Sequence, residues 1–252
     1  MGRQTSGVWR ETAVMLNHRD GINLITLTDL CGCSALEPGK LAATIESAQQ
    51  IVLVACHPRA VKLLLQWSGI SDLGKIQFFN LLESNRDALP AVLDNFSDSA
   101  PGKPTIRELL SDPSWPAWYP VIDYQRCTSC GQCAGFCLFG VYRNIDDKVV
   151  VANPQACKNN CPACARICPR VAIVFPKYDM DGSISGSDSF DEVKEMQRQK
   201  QDVDDILGGD IYHALEQRKL KRRSIIRDDA MQKALSEREK AQQLSTSSQH
   251  RS

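Results

Sequence analysis

Short apolar runs alternate with amphipathic segments along the first hundred residues. Three runs have the length and apolar content of buried strands: residues 22–27, 50–56 and 75–80. Residues 39–49 and 59–68 have helical spacing, and Pro58 stands at the first helical position of the second segment. Because strands and helices alternate, the pattern predicts a small α/β domain with a parallel sheet over residues 1–100.

The pattern changes after residue 100. Residues 101–120 are rich in proline and tryptophan, which indicates a stiff, extended linker whose rings pack on the next domain. Residues 121–178 carry short strand-like runs among many cysteines. Residues 179–252 predict a charged helical tail that begins with a flexible Gly/Ser/Asp stretch and ends in disorder from residue 245. The whole chain is therefore expected to be an α+β protein.

The composition is that of an ordinary soluble protein, with 252 residues, 42% of them hydrophobic and 24% charged. Thirty basic and thirty acidic residues give a formal net charge of zero, so the chain has no overall attraction to nucleic acid or a membrane surface. No apolar run approaches the ~20 residues that span a bilayer. The basic cluster at residues 218–223 fits a solvated helix face or an acidic partner better than nucleic acid. We expect a cytoplasmic protein without membrane insertion.

Eight of the eleven cysteines lie in two runs, each with three closely spaced cysteines and a fourth after three further residues. The first run comprises Cys127, Cys130, Cys133 and Cys137, and the second comprises Cys157, Cys161, Cys164 and Cys168. An iron–sulfur cubane needs four thiolates at tetrahedral corners, and three cysteines in one loop can supply three of them. Zinc sites use paired C-x-x-C knuckles and disulfides need an oxidising compartment, so both alternatives explain the doubled pattern less well.

These two runs give residues 121–178 a resemblance to bacterial ferredoxin domains with two [4Fe–4S] clusters. In that family the fourth cysteine of each run binds the other cluster. The resemblance implies that cluster I takes Cys127, Cys130, Cys133 and Cys168, and that cluster II takes Cys157, Cys161, Cys164 and Cys137. It also implies that residues 121–124 pair with residues 172–176, and that residues 141–151 form a hairpin. Such a small module has little core of its own, so we expect the clusters to stabilise its fold.

The stretch departs from the family pattern in two places. Leu138 stands where a proline usually follows the fourth cysteine, whereas Pro169 is present in the second run. Three residues rather than two separate Cys157 from Cys161. Both departures concern ligands of cluster II.

Three cysteines lie outside this stretch: Cys31, Cys33 and Cys56. Cys56 stands where a predicted strand meets a helix, and a helix N-terminus lowers the pKa of a nearby thiol. Because sites in open α/β sheets lie at the carboxyl ends of strands, the three thiols are predicted to converge there. Three interpretations remain open: buried structural cysteines, a third cluster completed by another ligand, and a dithiol redox pair.

The sequence from Cys33-Ser34 to Cys56-His57-Pro58-Arg59 also resembles the N-terminal domain of the flavin-containing subunit of heterodisulfide reductase, over about residues 20–70. That family has a strand ending in C-S-P-R and uses cysteines there for an additional cluster. His57 replaces the serine in this chain, and no G-x-G-x-x-G flavin motif follows a strand. The resemblance implies a cluster-binding or partner-docking domain without flavin chemistry.

The favoured function is an iron–sulfur electron-transfer protein or subunit that carries single electrons between redox partner proteins. Its partners would be oxidoreductase subunits, because the chain shows no acid–base pair or nucleophile that would make it catalytic alone. One alternative is a thiol or sulfur-redox component that uses Cys31, Cys33 and Cys56. The other is an interaction protein in which the clusters serve only to hold the fold together.

Overall fold

The structure is a computed structural model that divides the chain into two units, Met1–Lys200 and Gln201–Ser252. The residues it describes are 6–17, 22–95, 106–109, 112, 114–180 and 182–198. The second unit lies outside the described residues, so the tail helices, the disordered end and the basic cluster stay predictions. Within the described part, residues 192–198 are helical. No helix among the described residues is both long and apolar enough to cross a bilayer.

The N-terminal part alternates helices and strands. Its elements are α1 (Ser6–Asn17), β1 (Leu24–Leu27), α2 (Leu30–Leu36), α3 (Pro38–Glu46), β2 (Ile51–Ala55), α4 (Pro58–Trp67), β3 (Ile76–Asn80), α5 (Leu89–Asp94) and β4 (Ile106–Leu109). Strands β2 and β3 are parallel and are connected through α4, with Ile51 opposite Ile76 and Ala55 opposite Asn80. The strands and helices expected in this region are present, with ends that differ by a few residues.

Four elements were not expected from the sequence: α1, α2, α5 and β4. Strand β4 lies inside the expected 101–120 linker, where it pairs in parallel with β1. This part of the linker therefore belongs to a sheet. Helix α2 was not expected, and it begins because the Asp29 side chain caps it by accepting the Cys31 N–H at 3.0 Å.

The cysteine-rich part is built from two short antiparallel pairs. Its elements are β5 (Val121–Ile122), α6 (Gln132–Phe136), β6 (Tyr142–Ile145), β7 (Lys148–Val151), α7 (Ala163–Arg166) and β8 (Ile173–Val174). Strand β5 pairs with β8, and β6 pairs with β7 across a turn at Asp146 and Asp147, which both have positive φ. Strand β5 precedes the first cysteine run and β8 follows the second, whereas β6 and β7 lie between the two runs. Because β5 pairs with β8, the two halves fold together.

The two parts share one core. The inner face of α4 presents Ala60, Val61, Leu64 and Leu65, all fully buried. Tyr119 and the strand residues Val121 and Val174 belong to the same buried cluster. The parts expected as separate domains before residue 100 and after residue 121 therefore lie in one compact unit. Each buried aliphatic side chain contributes about 2 kcal/mol to that association.

The segment 182–190 overlaps the stretch 179–189 that was expected to be flexible, but it packs against this unit and its residues 183–187 are buried. Ser183, Ile184 and Ser187 are at most 2% exposed, and the Ile184 carbonyl accepts the Phe175 N–H at 2.7 Å. The Gly/Ser composition permits the close approach of this segment to α4. The conformation of this segment is therefore set by tertiary contacts, and its amino-acid composition alone wrongly predicts flexibility.

Gly186 marks the tightest contact of this segment. Its φ is +89°, and an added Cβ would lie 2.6 Å from Ala60 Cβ and 3.0 Å from Ala60 N. Gly69 has a similar φ of +86° but open space where a Cβ would be.

We predict that Gly186→Ala lowers the free energy of unfolding by about 3 kcal/mol, because backbone strain adds to a clash with α4. Gly69→Ala, the matched control, should cost only the strain, about 1 kcal/mol. Chemical denaturation of the full chain gives both values. Equal losses for the two variants would show that the 182–190 segment does not pack against α4.

Candidate metal centre

The two cysteine runs repeat the same backbone conformations. Ser129, just before Cys130, has φ +54°, and Asn160, just before Cys161, has φ +58°. A short helix, α6 or α7, follows in each half. Left-handed residues at matching places turn each loop back on itself, which lets consecutive thiols face a common space.

The same correspondence recurs after the fourth cysteine of each run. Gly140 and Val171, each three residues beyond it, have φ +68° and +52°. A glycine tolerates this conformation, but a β-branched valine rarely adopts it and costs of order 1–3 kcal/mol there. The Val171 carbonyl accepts a hydrogen bond from Arg59 Nη2 at 3.0 Å, which helps to hold the strained turn.

Four thiols from both runs line one cavity. Cys127, Cys130 and Cys133 of the first run and Cys168 of the second line a pocket of about 360 Å³, a volume that includes open solvent at its mouth. The pKa of Cys133 is raised to about 12, first by burial and then by the charges of Cys168, Cys127 and Cys130. The fourth thiol of the second run is therefore a close neighbour of the first run.

A second group of thiols is related in the same way. The pKa of Cys157 is raised to about 12, first by burial and then by the charges of Cys161 and Cys137. Burial also raises the pKa of Cys164, with further increases from Cys157, Cys133 and Cys137. Cys137 of the first run thus lies beside the thiols of the second.

Backbone amides are directed at two of the sulfurs. The Ser129 N–H donates to Cys127 Sγ at 3.4 Å, and the Ala172 N–H donates to Cys168 Sγ at 3.3 Å. Such bonds stabilise a sulfur that carries negative charge. They are of the kind that tunes the potential of an iron–sulfur centre.

This donor set fits a polynuclear iron site. Crowded, buried thiols keep their protons at neutral pH, and a soft cation can replace those protons and neutralise the thiolates. Among the described residues, no group of three or more His, Cys, Asp or Glu side chains is arranged around a single ion. The four thiols of the first group instead border a cavity, which suits a cluster of several metal atoms.

Arg59 joins this centre to helix α4. Its guanidinium donates to Asp123 Oδ2 at 3.1 and 3.2 Å and to the Ser183 carbonyl at 3.3 Å. Asp123 in turn accepts the Cys127 N–H through its carbonyl at 2.9 Å. Both charged side chains are 11% exposed, so the pair is shielded from water. The sequence motif C-H-P-R contains Arg59, but nothing local to it reveals that Asp123 lies opposite.

The other three cysteines are buried within the N-terminal part. Burial raises the pKa of Cys31 well above its ordinary value, followed by the charges of Asp29 and Cys56. Burial raises the pKa of Cys56 to about 11. The expectation that the helix N-terminus would lower the pKa of Cys56 is wrong, because loss of hydration outweighs the helix dipole.

Cys33 shares only part of the surroundings of the other two, since Asp29 acts on all three thiols. Cys31 and Cys56 belong to one buried cluster, whereas the charges acting on Cys33 are those of Asp29, Glu37 and Lys40. Two residues apart on α2, Cys31 and Cys33 point to different faces of the helix. The convergence of all three thiols and a third cluster therefore stay predictions.

Comparison with known proteins adds a partial likeness. Over 61 residues, 24% of this chain, the sequence is 49% identical to an uncharacterized ferredoxin of Methanocaldococcus jannaschii. This part of the chain is therefore similar in sequence to a ferredoxin. The match spans 42% of that relative, so the chain covers less than half of its length. No family model and no solved structure matches the chain, and the resemblance to heterodisulfide reductase stays a prediction.

We predict that Arg59→Met lowers the free energy of unfolding by about 3 kcal/mol, because Asp123 is left buried without a cation. Adding Asp123→Asn should restore part of the loss. The control is Lys62→Met on the same helix, an exposed side chain over the Phe78 ring, which should cost less than about 1 kcal/mol. Denaturation of all four proteins checks this, and equal losses for the two single variants would contradict it.

The raised pKa of Cys56 predicts a stability that depends on alkaline pH. The unfolded thiol ionises near pH 9, whereas the folded thiol keeps its proton to about pH 11. The contribution is complete below pH 9 and is lost as pH rises toward 11. Denaturation at several pH values should show a shallower decline for Cys56→Ala than for the wild type. Ser68→Ala, which removes a buried group that does not ionise, should keep the wild-type slope; a wild-type slope for Cys56→Ala would contradict the prediction.

Proposed function

We propose that the chain carries single electrons between redox partner proteins through two [4Fe–4S] clusters, one held by each group of thiols. The observation that carries the proposal is the exchange of the fourth cysteine between the groups. Cys168 lies with Cys127, Cys130 and Cys133 around one cavity, and Cys137 lies beside Cys157 and Cys164. This is the ligand arrangement of two-cluster ferredoxins.

A bound [4Fe–4S] cluster supplies one-electron chemistry with little change of geometry. The surrounding residues hold and orient the ligand sulfurs. Buried side chains exclude water on the inner side: Ile173, Val149 and Ala172 line the first cavity and are at most 3% exposed. Cys130 is the exposed thiol of that group, which gives a redox partner a short path to the first site.

Local charge also suits this role. Residues 121–178 contain seven Lys or Arg and three Asp or Glu residues. Added electrons make a thiolate-ligated cluster more negative, and the basic excess offsets part of that charge. A redox partner with an acidic contact surface would be attracted to the same region.

The N-terminal part is proposed as the docking support of the centre. Arg59 and the shared core fix it against the cysteine loops. Its buried thiols have raised pKa values and are weak nucleophiles at neutral pH. This argues for structural cysteines over thiol or sulfur-redox chemistry at Cys31 and Cys56.

The test is the iron and acid-labile sulfide content of anaerobically purified full chain. We predict about eight iron and eight sulfide per chain for the wild type, from two four-iron clusters. Cys168→Ala should lose at least half of the iron, because it removes a ligand. Cys33→Ala, a buried cysteine outside both groups, should keep the wild-type content.

Other metal contents would contradict the proposal or the assignment of the N-terminal cysteines. Zinc in place of iron, without sulfide, would overturn the proposal. About twelve iron per chain, falling to about eight in Cys33→Ala, would overturn the structural assignment of the N-terminal cysteines and establish a third cluster.

A further inference from the structure

Arg126 stands directly before Cys127, and its side chain connects separate parts of the chain. Its Nε donates to the Arg170 carbonyl at 3.1 Å. Arg170 is two residues after Cys168 and lines the same cavity as both cysteines. One hydrogen bond thus connects the two loops that contribute thiols to the first group.

A later segment of the chain contacts the same guanidinium. Arg126 Nη2 lies 2.7 Å from Glu192 Oε1, and the Arg126 side chain is only 25% exposed. Glu192 begins a helical segment that the Asp191 carboxylate caps by accepting two backbone N–H groups at 3.0 and 3.1 Å. Because the cap fixes the backbone at Glu192, less conformational freedom is lost when its carboxylate pairs with Arg126.

The Phe190 ring joins Arg126 to Arg59. Arg126 Cζ lies 5.7 Å from the ring centroid, and Arg59 Cζ lies 5.5 Å from it. The two guanidiniums donate to consecutive carbonyls, those of Arg170 and Val171. Cation–π contacts of this kind are favourable at partly buried positions. Phe190 therefore supports both side chains that hold the turn after the fourth cysteine of the second run.

The second half of the internal repeat has a different residue at this position. Ala156 stands directly before Cys157, where the first half has Arg126 before Cys127. An alanine methyl group neither donates a hydrogen bond nor carries a charge. At this position of the repeat the contact is therefore specific to the first site.

We propose that Arg126 is a positioning residue of the first metal site. It keeps the loops of Cys127 and Cys168 together around the metal. Phe190 and Glu192 act through it by holding its guanidinium in place. The inference rests on the proposed function, in which these two cysteines are cluster ligands. Loss of a group that orients metal ligands typically weakens metal binding by about 10- to 100-fold.

The experiment measures anaerobic release of iron from the iron-loaded full chain to an iron(II) chelator. Arg126→Met keeps most of the side-chain length but removes the charge and the donors. It should release about half of the iron about tenfold faster than the wild type, and the other half at the wild-type rate. Glu192→Gln, which leaves Arg126 in the chain, should accelerate the same half by about threefold.

Two controls separate positioning from other effects. Arg143 is an exposed arginine on β6, and Arg143→Met should release all the iron at wild-type rates. Leu41 is 2% exposed in the core, so Leu41→Ala lowers stability in general and should keep the wild-type ratio of the two rates. Wild-type release from Arg126→Met, or an equal acceleration of all its iron, would overturn the inference. So would selective release of half of the iron from Leu41→Ala.

A second measurement keeps the inference testable if Arg126→Met loads iron poorly. In Glu192→Gln, hydrogen–deuterium exchange measured by mass spectrometry should be faster than in the wild type over residues 168–174 and unchanged over residues 142–151. Unchanged exchange in both stretches would overturn the inference. A wild-type chain that binds no iron would instead refute the proposed function, so the two failures are distinguishable.

Discussion

The crowding of buried thiols is the constraint on which the rest of this structure depends. Cys133, Cys157 and Cys164 lose hydration and lie beside other thiols, so their pKa values are raised. They can carry charge together only when a cation replaces their protons. Strands β5 to β8 bury Ile122, Val149 and Ile173 in one core with Cys133, Cys164 and Cys168. Metal binding at these thiols is therefore expected to stabilise the fold of this part.

The rest of the unit acts as a frame for these loops. Helix α4 contributes its buried face to the core that includes Val121 and Val174. Its Arg59 bridges Asp123, which precedes the first cysteine run, and the carbonyl of Val171, which follows the second. The chain elements on both sides of the first cavity thus converge on one guanidinium. Movement of α4 would be transmitted to the ligands that close that cavity.

Local patterns predicted the elements that depend on local sequence. Strands β2 and β3 were predicted from their apolar runs, and the two cysteine runs were recognised from the spacing of their cysteines. Strand β4 was missed because its pairing with β1 connects residues some eighty positions apart. Most of the 182–190 segment was expected to be flexible because of its Gly/Ser content. Its conformation is instead fixed by contacts with α4, which composition does not indicate. The pKa of Cys56 depends on burial that no local pattern encodes.

The most direct test of this account is the EPR spectrum of the fully reduced, anaerobically purified protein. Under the proposed function, exchange of the fourth cysteine between the groups would bring two reduced clusters close together in one small module. The account predicts a broadened spectrum from two magnetically interacting clusters, with equal spin on each. A narrow spectrum from one isolated cluster, or a protein that gives no iron–sulfur signal, would contradict it.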